Sequence, residues 1–94
     1  MKINKNSEVK EVEVVMEGAK STRKKVLIGP DDGSKNIIMW YFNLLPGGHS
    51  PRHSHNYEHL VKIEKGKGIV VGKDDNKLEI SEGHSIFVEA NELH

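Results

Sequence analysis

Cysteine is absent from the chain, which removes disulfides, thiolate metal sites and cysteine nucleophiles together. Any bound metal must therefore use histidine or carboxylate ligands. An excess of one charge is lacking too: 14 Lys and Arg stand against 14 Asp and Glu, and no cluster of Lys and Arg outweighs that balance. A nucleic-acid or anionic-membrane binder needs such a footprint to neutralise phosphates, so neither is an expected partner. Long hydrophobic runs are missing as well. Residues 1–15 mix Lys, Glu and Asn with single valines, and nothing elsewhere approaches a membrane span. A cytoplasmic protein is the expectation. Only 35% of the 94 residues are hydrophobic and 5% aromatic, so the core must be thin. A domain of this size buries only about two-thirds of its unfolded surface, and a metal or a second subunit would add to its stability.

Helical periodicity is also absent, since no window of eleven residues sustains it. Residues 12–16 alternate as a half-buried strand does. Val26, Leu27 and Ile28 form a short β-rich run, stopped by Gly29, Pro30, Asp31, Asp32 and Gly33. Residues 36–45 make the longest apolar run and read as a central strand closed by Pro46, Gly47 and Gly48. Leu60 to Ile63 and Ile69 to Val71 flank a turn at residues 65–68 and read as a hairpin. Turns at 72–76 and 81–83 then bracket strands at 78–80 and 85–88. Many short strands with closely spaced turns predict an all-β, antiparallel sandwich or barrel.

Histidine is what the chain has in excess: six in all, four of them between His49 and His59. His53 and His55 are two apart, so on an extended strand both rings leave the same face and can share one cation. His59 follows four residues later. Gly47, His53, His55, His59 and Gly66 together spell G-x5-H-x-H-x3-H-x6-G, and Gly83, Asn91 and His94 close the chain. This pattern resembles the cupin family, whose motifs are G-x5-H-x-H-x3,4-E-x6-G and G-x5-P-x-G-x2-H-x3-N. Every spacing of the first motif fits, with His59 where the commonest cupins carry a glutamate ligand. In the second, Gly83 fits, Glu89 stands for the proline, Asn91 for the glycine, and His94 falls at the last ligand. With Arg23 to Gly29 ahead of the long strand, the resemblance is closest to small single-domain prokaryotic cupins with an all-histidine metal site.

The resemblance implies a double-stranded β-helix, the cupin jelly-roll barrel, over a single domain 1–94. It also leads to the expectation of two further strands after His94, and of a homodimer in which the segment before Val26 crosses to the partner. One divalent transition metal would be held by His53, His55, His59 and His94: manganese or iron first, with nickel, copper and zinc also suited to imidazole. Four neutral imidazoles leave the ion its full +2 charge, where three histidines and one glutamate would leave +1. The added charge disfavours a trivalent state and strengthens the pull on anionic ligands such as an enolate.

Other residues near the motif are weaker candidates. The Tyr57 hydroxyl could orient substrate and the Glu58 carboxylate could support a ligand imidazole, although a solvated loop charge is the better description of Glu58. Arg52 should face away and form an ion pair. On the long strand Trp40 and Phe42 share a face that could line a pocket. His49 and His84 lie outside the motif and read as solvated turn residues. Catalytic groups are not identifiable, since no acidic residue falls clearly inside the barrel. An oxygenase-like enzyme acting on a small chelating substrate through the metal is the leading expectation, and a non-catalytic cupin that binds a small molecule or metal is the alternative. Because each imidazole must be neutral to bind, metal release is expected as the pH falls below about 6. Metal content after dialysis at acid pH measures this, and full retention at pH ~4 contradicts four imidazole ligands.

Overall fold

A computed structural model describes all residues, Met1–His94, and divides them into two compact units, Met1–Pro51 and Arg52–His94. Every regular element is a strand or a single turn of 3-10 helix, as the missing helical period requires. No helix is long and apolar enough to cross a membrane.

The first unit is a three-stranded antiparallel sheet in the order β1-β2-β3, with β1 at Val12–Glu13, β2 at Lys20–Ile28 and β3 at Met39–His49. The β1 strand is shorter than the alternation of residues 12–16 predicts, and Val15 and Met16 are exposed. By contrast β2 begins six residues before the predicted Val26. Its early part, Lys20 to Lys25, carries charge outward and turns only Thr22 fully inward, so a polar residue occupies the core position and hides the pattern. Arg23 and Glu11 add an ion pair at 2.6 Å beside the β1–β2 ladder.

The third strand corrects a sequence expectation. Pro46, Gly47 and Gly48 do not end it; they lie inside its span as a bulge. Thr22 pairs with Leu44 and Lys20 with His49, so residues 45–48 are looped out opposite Ser21. The Thr22 hydroxyl closes the bulge, lying 2.9 Å from Lys20 O and 3.3 Å from His49 O. At the other end the 3-10 turn Pro30–Asp32 stands where the breaker cluster predicts a turn. The Asp32 carboxylate accepts from Gly29 N at 3.0 Å and from the Asn4 amide at 3.0 Å, and these bonds hold its pKa below the ordinary carboxylate value.

The second unit contains β4 (His59–Lys62), β5 (Lys67–Val71), β6 (Lys77–Ser81) and β7 (Ser85–Val88). The expected hairpin between the first two does not form: β4 pairs with β7, and β5 pairs with β6. Sequence neighbours usually pair, but here the turn around Gly66 carries the chain from one ladder to the other. Backbone bonds from Glu82 N to Gly66 O and from Gly83 N to Ile63 O join the two corners. Nesting one hairpin within an outer pair is how a jelly roll is built.

The core is as thin as the composition implies. Only Leu27 and Val88 among the apolar residues are buried, with Thr22 the single buried polar one. Main-chain closeness therefore matters in places where side chains do little. A Cβ at Gly48 would stand 2.6 Å from Ser21 O, 2.8 Å from Leu45 O and 2.9 Å from Lys20 O, all backbone atoms. Gly48→Ala is expected to open the bulge and cost about 1–3 kcal/mol, read as a lowered thermal midpoint; an unchanged midpoint would refute the close approach.

Candidate metal centre

Two chain segments of the second unit build the site, and main-chain hydrogen bonds bring them together. His53 N donates to His94 O at 2.8 Å and His94 N donates to His53 O at 2.9 Å. Asn91 N donates to His55 O at 2.6 Å. The pair His53 and His55 lies outside any strand, contrary to the strand placement expected from their spacing. The clamp to residues 91–94 supplies the alignment that a sheet ladder would have given. Asn91 adopts φ +66, the left-handed conformation that glycine takes without strain and asparagine tolerates. That backbone accounts for asparagine at a position where the resembled motif has glycine.

The clamp converges three imidazoles. Ligand nitrogens of His53, His55 and His94 all lie within 4.8 Å of one another, on half-buried side chains. Ring centroids are 5.3 Å apart for His53 and His55, 4.8 Å for His53 and His94, and 4.9 Å for His55 and His94. His59, at the start of β4, stands beside this trio rather than within the 4.8 Å set. Its ring is 4.1 Å from that of His55 and 6.0 Å from that of His94.

Hydrogen bonding chooses which nitrogen each ring presents. His55 Nδ1 lies 2.9 Å from Tyr57 O, and His94 Nδ1 lies 2.9 Å from Glu92 O. A carbonyl only accepts, so both Nδ1 atoms carry the proton and both Nε2 atoms keep the lone pair. His55 Nε2 is shielded from solvent and makes no hydrogen bond. A buried, unsatisfied acceptor is costly unless something occupies it, and a divalent cation bound at about 2.0–2.1 Å per nitrogen would do so. The donor set and its tautomers fit a metal.

Burial, and then the repulsion of neighbouring imidazoles once charged, lowers the pKa of His53 and His59 below the ordinary histidine value. For His53 the neighbours are His94 and His55; for His59 they are His55, His94 and His53. Neutral imidazole is the metal-binding form, so the site is prepared for a cation at a more acid pH than solvated histidines would be.

The remaining candidates separate clearly. Tyr57 stacks on His55, with ring centroids 4.1 Å apart and planes 10° from parallel, while Glu58 is an exposed loop residue. Arg52 forms the expected ion pair, 3.0 Å from Asp75, and donates to Gly72 O at 3.0 Å. His49 and His84 are exposed; the latter's Nδ1 accepts from Ser81 N at 2.9 Å. Trp40 and Phe42 belong to the first unit, where their rings meet edge to face at 6.0 Å. Sequence reasoning missed the carbonyls of Tyr57 and Glu92, because every residue carries a carbonyl and none is marked by type.

The Cupin domain family matches residues 40–94, and the chain belongs to that family. Among solved structures, the polyketide cyclase RemF from Streptomyces resistomycificus is 33% identical, with a TM-score of 0.89 over 100% of this chain and 67% of that one. No curated protein matches. The all-β jelly roll implied by the histidine motif is thus the fold of the chain.

Acidification tests the electrostatics of the metal-free site. Both lowered pKa values mean that the unfolded chain binds more protons than the folded one, so unfolding takes up protons. Stability of the metal-free protein should be full above the ordinary histidine value of 6.5 and fall as the pH drops through the lowered values. The decline should flatten when His53 and His59 are both replaced by Gln. A thermal midpoint that does not change between about pH 7 and 5 would refute the shifts.

Proposed function

We propose that the chain binds one divalent transition metal and uses it to act on a small, chelating, enolisable substrate. The observation that carries this is the convergence of His53, His55 and His94, with Nε2 of His55 buried and bonded to nothing. These three rings would hold the ion, with His59 as the fourth ligand, and the whole chain 1–94 would act as one cupin domain. Manganese or iron is the proposed metal, with nickel, copper and zinc compatible with the same donors. Bound there, the metal supplies a Lewis-acid centre whose undiminished charge favours paired, partly anionic oxygens.

The chain's own residues do the positioning. The Tyr57 and Glu92 carbonyls accept from Nδ1 of His55 and His94, so both rings keep the lone pair on Nε2. No carboxylate is among the converging side chains, which favours chemistry driven by the electrophilic centre over general acid-base catalysis by Asp or Glu. An oxygenase-type reaction, in which the enolate form of the substrate is oxidised by dioxygen, is the first reading.

A second reading draws on the similarity to RemF, a polyketide cyclase. Poly-β-ketone chains are themselves chelating and enolisable, so the same electrophilic centre would favour an intramolecular carbon–carbon closure without oxygen. A non-catalytic small-molecule binder is the alternative from outside enzymology.

One experiment separates them. Metal-loaded protein and a His55→Ala variant are mixed anaerobically with a 1,3-diketone or an oligoketide thioester, then exposed to air, with oxygen and products followed together. Wild type is expected to hold about one ion per chain and to consume oxygen with substrate, while the variant does neither. Substrate loss with no oxygen uptake and a cyclised or dehydrated product would instead assign the cyclase reading. Tight diketone binding with no turnover would leave the binder, and a wild type that takes up no metal would overturn the proposal.

A further inference from the structure

Tyr57 makes two separate contacts with one ligand ring. Its main-chain carbonyl accepts the Nδ1 proton of His55 at 2.9 Å, and its side-chain ring lies parallel to the imidazole at a centroid distance of 4.1 Å. The first contact selects the tautomer and the second selects the plane. Among the three converging histidines, only His55 is stacked in this way: His53 and His94 meet their neighbours edge to face. It is also the ring whose Nε2 is shielded from solvent and makes no hydrogen bond.

We propose that Tyr57 is a positioning residue that holds the His55 imidazole in its metal-binding orientation through the face of its ring, with no role for its hydroxyl. The inference rests on the metal-binding reading above and deepens it. Imidazole rotates about two side-chain bonds, and the carbonyl contact alone allows the ring to rock about the hydrogen bond. A flat partner on one face removes that motion. Stacked aromatic pairs contribute beyond the area they bury, enough to bias a half-buried ring among its orientations. Tyr57 itself is 49% exposed, so its ring adds little to the core, and shortening it should leave the fold standing.

The test compares wild type with Tyr57→Phe, Tyr57→Leu and Tyr57→Ala in the full chain. Two readouts are taken: the orientation of the His55 ring in metal-free protein, from the nuclear Overhauser contacts of its ring protons, and the dissociation constant for Co(II) followed by its visible absorption. Tyr57→Phe should match wild type in both. Tyr57→Leu keeps apolar bulk without a flat face, and both it and Tyr57→Ala should let the His55 ring sample more than one orientation and weaken Co(II) binding about tenfold or more, as supports of ligand rings commonly do. Leu and Ala variants that keep the single wild-type ring orientation and bind Co(II) within about twofold of wild type would overturn the proposal. So would a Phe variant as impaired as the Ala variant, since the hydroxyl would then be the acting group. If wild type itself fails to bind Co(II), the metal-binding reading falls, and the ring-orientation comparison alone decides whether Tyr57 orients His55.

Discussion

The reciprocal hydrogen bonds between His53 and His94 are the constraint on which the site depends. They join two segments of the second unit that are far apart in sequence, and they do so through main-chain atoms alone. Once His53 and His94 are tied, the Asn91 to His55 bond fixes the next residue, and three imidazoles converge without any side chain having brought them together. A metal would then complete an arrangement already formed, rather than gather ligands from a disordered chain. That order reduces the conformational entropy lost on binding. It also assigns the thin apolar core a modest task, because alignment at the site comes from the clamp and not from packing beneath it.

Electrostatics and hydrogen bonding act on the site in one direction. Burial and mutual repulsion keep His53 and His59 neutral, while the Tyr57 and Glu92 carbonyls set the tautomers of His55 and His94. Four rings are thereby prepared by two different physical means, and both yield a lone pair where a cation could use it. The second unit contributes no carboxylate to the converging set, so nothing there offsets a cation's charge.

Much of this was legible in the sequence, for particular reasons. The spacing of His53 and His55, with the resemblance to the second cupin motif for His94, pointed to three rings that the structure brings together, and the breaker run Gly29 to Gly33 located its turn because those residues tolerate little else. Three features were hidden. The first half of β2 places a threonine in the core and lysines outside it, so its alternation is not one of apolar against polar. The bulge at Pro46 to Gly48 uses the same residues that end strands elsewhere. The pairing of β4 with β7 is a long-range choice, and a local turn signal at Gly66 cannot distinguish a hairpin from a corner between ladders. At the site, the supporting carbonyls and the left-handed Asn91 were invisible for a related reason: their contribution belongs to the backbone.

A frame made of main-chain bonds places few demands on the residues between its anchor points. Ser54, Asn56, Glu58, Ala90 and Leu93 lie within or beside the clamped segments, yet the bonds that hold those segments involve none of their side chains. Substitutions there could change the rim of the site while the imidazoles kept their positions. The placement of the imidazoles and the character of the rim are in this sense set by different atoms of the same short stretch, so the one can vary without the other.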